Sequence, residues 1–273
     1  MPGDAGQDVS QPSLRIDVVQ FSGDDQAVDR RGPLSAAIPA QPNAGGYCFT
    51  CRYGDTIGVG LLPFTDSSLN HYGTIFGAED ALPVARFRFY RNGKLVSDQD
   101  DMLGLAIKVP AAKATYKAVL DVDRRLQDPI QSTRTSTELT FVSARNAGRK
   151  LPSSWFCDGA NCRVLPIVQA RLGLPTALNG TLPVGKSTLT VTVAQVQKAS
   201  TSPITKATLE IRPAGYGWST VKLKALGGGK YQGVVDTTEF AGSNVDVRFG
   251  GSDKAGSSYR QTVLRAFTTV AGS

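Results

Sequence analysis

RFRFYRNGKLVS, residues 86–97, decides the fold. Through Arg91 it alternates polar and aromatic side chains with a period of two, so one face of an extended chain is apolar and the other charged. Asn92-Gly93 then supplies the two consecutive positive φ values of a type I′ turn, and Lys94 begins a return strand. The reading is a β-hairpin with one buried face. The same period recurs outward in both directions: LRIDVV (14–19), TYKAVLDV (115–122), TELTFV (137–142), TLTVTV (188–193), ATLEIR (207–212), NVDVRF (244–249) and YRQTVLRAF (259–267). WSTVKLK (218–224) reads as one strand joined by a Gly-rich loop, GGGK (227–230), to YQGVV (231–235). Helical periodicity is rare along the chain.

The spacing of short strands and turn signals predicts an all-β protein of two consecutive β-sandwich domains, the second immunoglobulin- or fibronectin-III-like. The Pro/Ser-rich break GRKLPSS (148–154) and the cysteine pair after it place the boundary at residue 162. The expected domains are 1–162 and 163–273, the second close to the ~100 residues of such a sandwich.

With 273 residues, 41% hydrophobic and 19% charged, the chain has the composition of a folded protein rather than a disordered one. The net charge of +7 is spread along the sequence. No Lys/Arg run and no aromatic-basic motif points to nucleic acid. No stretch approaches the ~18 apolar residues that would mark a membrane-spanning helix. Residues 1–13, MPGDAGQDVSQPS, have neither the basic segment nor the apolar segment of a signal peptide.

Chemistry-bearing patterns are sparse. His71, the single histidine, sits in the turn-like Asn70-His71-Tyr72-Gly73 and reads as a structural or exposed residue rather than a catalytic base. Ser219-Thr-Val-Lys222 matches S-x-x-K by chance, in a strand context and without partner motifs. GGGK lacks the spacing and following helix of a phosphate loop. The acids of DQDD (98–101) and DVD (121–123) suit calcium by type but lack EF-hand spacing, and read as solvated carboxylates. A pair of acids brought together in space for glycoside hydrolysis would leave no sequence mark. Asn179-Gly-Thr181 is a formal glycosylation sequon that also reads as a turn. No catalytic residue, metal ligand or cofactor site is assigned. Flat rings can stack on sugars, and Tyr53, Tyr72, Tyr216 and Trp218, with Tyr47, are the ligand-binding candidates.

Four cysteines remain: Cys48 and Cys51 in C-x-x-C, Cys157 and Cys162 in C-x4-C. Two short-range pairs fit a four-thiolate zinc site or disulfides in any of three pairings. A redox C-x-x-C needs a βαβ context that the chain does not offer. Local pairing is worth roughly 2 kcal/mol per loop and cross pairing roughly twice that. Proximity favours the local pairs.

Four segments resemble the C-terminal, non-catalytic region of large secreted actinobacterial subtilisin-like serine proteases. They are CFTCRYGD (48–55) followed by PFTDSSLNHYG (63–73), FYRNGKLV (89–96), VPAAKATY (109–116) with STELTF (136–141), and the tail from Val245 to Phe267 with GSDKAG (251–256) and QTVLRAF (261–267). The resemblance covers about residues 45 to 270. It departs from the family pattern at IRPAGYG (211–217), where an acidic SYDDG would stand. The catalytic D-[ST]-G, H-G-T-H and G-T-S-M strings of that family do not occur, so no catalytic residue carries over. The resemblance implies a secreted, extracellular, non-enzymatic accessory module. Its partner would be a subtilisin-like protease domain in the same polypeptide. It would tether or stabilise that domain, or bind protein substrate or cell-wall polymer. The alternative is a standalone carbohydrate- or cell-wall-binding protein, or a hydrolase with spatially paired acids. In a secreted setting, C-x-x-C becomes an oxidised turn leading into TIGVGLL (56–62), with Cys157 and Cys162 a second clip at the domain junction.

Overall fold

The computed structural model describes residues 33–40, 45–65, 72–73, 84–125, 131–177 and 179–271. The strand expected at 14–19 lies outside them. In the first half the strands are β1 (Ser35–Ala37), β2 (Thr50–Tyr53), β3 (Thr56–Gly60), β4 (Leu62–Thr65), β5 (Tyr72–Gly73), β6 (Val84–Arg91), β7 (Lys94–Asp100), β8 (Gly104–Lys108), β9 (Ala114–Asp123), β10 (Arg134–Ser143), β11 (Arg149–Lys150) and β12 (Arg163–Val164). In the second half they are β13 (Val168–Gly173), β14 (Thr181–Pro183), β15 (Lys186–Gln195), β16 (Ile204–Pro213), β17 (Ser219–Thr220), β18 (Lys224–Gly227), β19 (Lys230–Asp236), β20 (Asn244–Asp253) and β21 (Ser258–Val270). The protein is all-β.

The opening hairpin forms, but only β6 has the expected buried face, through Phe87 and Phe89; the return strand β7 buries no residue, because as the sheet's edge strand it lies beyond the covering layer. Asn92 and Gly93 have φ of 47° and 78°, and Arg91 pairs with Lys94 across the turn. A bulge between Phe89 and Tyr90 bends the hairpin. Such a kink weakens the unpaired edge of β7 as a template for another chain.

In the second half, one sheet runs β13-β15-β19-β18 and the facing strands run β17-β16-β20-β21. Lettered in chain order, these are A-B-E-D against C′-C-F-G, the immunoglobulin arrangement. β14 adds alongside β21 in parallel. WSTVKLK does not make one strand. Ser219–Thr220 pairs with β16 in one sheet, and Lys224–Gly227 pairs with β19 in the other. The chain crosses between layers at Val221, which is buried in the core. Alternation alone does not reveal such a crossing, because both ends keep the same period.

The two halves are joined edge to edge. β21 pairs with β10 from Arg134↔Leu264 to Thr140↔Ser258. Among the described residues this gives one sheet in the order β17-β16-β20-β21-β10-β9-β6-β7, with strands from both sides of residue 162. β11-β12-β2-β3-β8 covers the first half of its inner face and β13-β15-β19-β18 the second. One hydrophobic cluster runs through both, including Ile57, Phe87, Phe141, Val191, Val247 and Phe249. In its first half Tyr116 stacks between Phe89 and Phe141, with ring centroids 5.7 Å away on each side. Among the described residues the buried Tyr116 hydroxyl has no hydrogen-bond partner.

The outer face of the long sheet is a lattice of ion pairs. Arg86 holds Asp98 through two bonds of 2.7 and 2.6 Å, Arg88 meets Asp121, Arg134 meets Asp123, and Arg212 holds Asp246. These side chains keep partial contact with solvent, 20–53% exposed, so each pair adds about 1 kcal/mol. Their effect is to fill the face and fix register rather than to supply the bulk of the stability.

Candidate functional site

An aromatic corner forms around the two cysteine pairs. Cys48 is bonded to Cys51 and Cys157 to Cys162, the local pairing, and no free thiol is left for zinc. The corner is built by two segments that run side by side. The Gly45 amide donates to the Ser154 carbonyl, the Phe156 amide to the Gly46 carbonyl, and the Cys48 amide to the Phe156 carbonyl. This places Tyr47 beside Phe156 in a parallel bridge. Gly46 is required there: a Cβ would lie 2.6 Å from the Trp155 ring.

Aromatic rings line the corner. Tyr47 packs edge-on to Phe49 at 5.2 Å and tilted against Phe156 at 5.3 Å. Phe156 is 57% exposed. The loop closed by Cys157 and Cys162 folds over the Tyr53 ring, and only glycine fits at 159, since a Cβ would come within 2.5 Å of that ring. Asp158 lies between the two tyrosines. The Tyr47 hydroxyl donates to its carboxylate at 2.5 Å. Burial, then the bond to Asp158, holds the Tyr47 hydroxyl well above the ordinary tyrosine range; burial and the Asp158 charge raise Tyr53 as well. Both therefore stay neutral at physiological pH. The adjoining concavity between Ile38, Tyr47, Phe49 and Trp155 holds only ≈ 10 Å³, about one water. The concavity has no room to enclose a larger molecule.

Beneath the corner sits Arg52, 1% exposed and among the largest fully buried side chains. Its guanidinium donates to the Gly54 carbonyl at 3.0 Å, the Pro110 carbonyl at 2.9 Å and the Ser143 hydroxyl at 3.4 Å. Asp55, 3.9 Å away, balances part of the charge. Asp55 also accepts both nitrogens of the Arg145 fork, and that bond keeps its carboxyl below the usual range. Arg52 thus pins β2 to the opposite layer and fixes the hairpin that carries Tyr53.

The other sequence candidates lie elsewhere. Tyr216 and Trp218 sit at the far edge of the long sheet, after β16. Trp218 is already stacked: the Arg212 and Arg248 guanidinium carbons lie 4.7 and 4.1 Å from its ring centroid. Tyr216 is 57% exposed. Tyr72 falls in β5, paired with Thr65. His71 lies outside the described residues. Of the acids that suit calcium by type, Asp98 is engaged by Arg86, Asp121 by Arg88, and Asp123 by Arg125 and Arg134, while Asp100 lies 3.8 Å from Arg86. Asn179 is exposed and accepts from both the amide and the hydroxyl of Thr181.

Sequence reading found Tyr47 and Tyr53 by residue type. It missed Phe156, Asp158 and Arg52. For the first two a signal existed: Trp-Phe directly before a six-residue disulfide loop that opens with Asp-Gly. Two disulfides are stable features of an oxidising, extracellular-type compartment. No helix among the described residues is long and apolar enough to cross a membrane.

No known protein family and no curated protein matches the sequence. Among solved structures, the fibronectin(III)-like modules of CbhA from Clostridium thermocellum align with 14% identity over 86% of this chain and 93% of that chain, at a TM-score of 0.21. At that score the alignment does not bear on the fold, which rests on the strand order.

Proposed function

We propose that the chain is a non-catalytic accessory module of a secreted subtilisin-like serine protease, tethering or stabilising the protease domain and presenting its loops to substrate or cell surface. One observation carries the reading. The segments that resemble that family fall on scaffold features: CFTCRYGD on the first disulfide and the β2–β3 hairpin, FYRNGKLV on the type I′ hairpin, and QTVLRAF on the strand that joins the halves. These are the parts that hold an architecture together, not a reacting constellation. The carboxylates of the outer face are set against arginines, which suits a surface that packs or binds.

The purified chain is expected to give no hydrolysis of casein or succinyl-peptide substrates. Robust turnover abolished by a serine-protease inhibitor overturns the reading. A second reading, a standalone carbohydrate- or cell-wall-binding protein, is favoured by the exposed aromatic corner.

A further inference from the structure

We infer that the disulfide-clipped corner of Phe156, Tyr47, Tyr53 and Asp158 is a binding surface for a hydroxyl-rich glycan chain. The inference deepens the second reading and rests on the module binding a polymer.

Three features favour a glycan. First, the rings are held before any ligand arrives. Phe156 is braced by Tyr47, Tyr47 by Phe49, and Tyr53 by the loop at Gly159. A flat apolar ring more than half exposed on a rigid mount matches the C–H face of a pyranose and loses little entropy on binding. Second, one polar group stands beside the rings and another is carried on the same loop. Asp158 is exposed, and Asn161 is exposed on the same loop. Asp158 takes one hydrogen bond from Tyr47 and keeps further acceptor sites for sugar hydroxyls; Asn161 brings both a donor and an acceptor. The disulfide from Cys157 to Cys162 fixes the spacing of the two within six residues. Third, the site is a shelf. With room for about one water in the adjoining concavity, it suits a chain lying across the surface more than a small molecule that must be enclosed.

The site differs from the other aromatic feature of the surface. Trp218 carries guanidinium groups on its ring, so its stacking capacity is already used. Tyr216 beside it serves as an internal control.

The test is depletion of the full oxidised chain from solution by microcrystalline cellulose, chitin and purified peptidoglycan, comparing wild type, Phe156→Ala and Tyr216→Ala. Phe156 is exposed, so Phe156→Ala keeps its fold, checked by an unchanged circular dichroism spectrum. Wild type is expected to be retained on at least one polymer, Phe156→Ala to lose about tenfold in affinity, as removal of a stacking ring does, and Tyr216→Ala to bind as wild type. Equal retention of Phe156→Ala and wild type overturns the assignment, as does a loss confined to Tyr216→Ala. Light scattering in the absence of polymer is the second arm. Concentration-dependent self-association abolished by Phe156→Ala makes the corner a protein contact and also overturns it. Wild type bound to none of the three polymers removes both the glycan surface and the second reading, while the protease-module reading stands on its own test.

Discussion

Replacing Arg52 with alanine lowers the stability of the chain by about 2–4 kcal/mol, from lost hydrogen bonds of a charged donor and the cavity left by its stem. The side chain is 1% exposed and ties β2 to the Pro110 carbonyl of the β8–β9 connection and to the Ser143 hydroxyl of the opposite layer. Alanine strips donors from the Gly54 and Pro110 carbonyls and leaves a cavity where the stem lay. Lysine does not rescue it, because one ammonium cannot span acceptors that the planar fork reaches together. Urea unfolding monitored by tryptophan fluorescence gives the value. A loss below about 1 kcal/mol, the worth of an exposed ion pair, contradicts the role given to Arg52.

The second large effect is expected at the seam between the halves. Gln261 on β21 is fully buried, and its carbonyl oxygen accepts from the Thr137 hydroxyl of β10 at 2.6 Å and from Tyr259 at 3.0 Å. The Tyr259 hydroxyl also lies 3.0 Å from the Ala36 carbonyl of β1, so the network binds three strands. Gln261→Ala leaves the buried Thr137 hydroxyl without its acceptor and opens a void, costing about 2–4 kcal/mol. Because β10 and β21 share their ladder, the whole chain is expected to unfold together. Trp155 lies on the first side of the seam and Trp218 on the second. In wild type, fluorescence and far-ultraviolet circular dichroism should therefore report one coincident transition. Two separated transitions in wild type, or a Gln261→Ala cost under about 1 kcal/mol, the net worth of one ordinary hydrogen bond, would falsify the seam.

How much of this is written in the sequence depends on the range of the interaction. The 86–97 hairpin is legible because alternation and Asn92-Gly93 are local signals. The second sandwich is legible because its strands are long and separated by clear turns. The β10–β21 seam is not: STELTF and RQTVL alternate like any half-buried strands, and nothing in either names its neighbour. The break of 218–224 between two sheets is hidden for the same reason. At the corner, the disulfides are legible from proximity and Tyr53 from residue type. The partnership of Tyr47 with Phe156 is not, because it depends on residues 45–48 running parallel to 154–156, a long-range pairing. Trp218 looked available from sequence, but Arg212 and Arg248 reach its ring from separate strands.

These features describe a two-layer scaffold whose distinctive sequence motifs brace turns, clips and a seam, with one rigid aromatic corner facing solvent. That division of labour suits a module that positions or binds. The protease association is tested most directly by sequencing the native gene upstream of the codon for Met1. The account predicts in-frame codons for a subtilisin-like domain, with D-[ST]-G, H-G-T-H and G-T-S-M in that order. An in-frame stop codon directly upstream, or a different domain in that place, contradicts it.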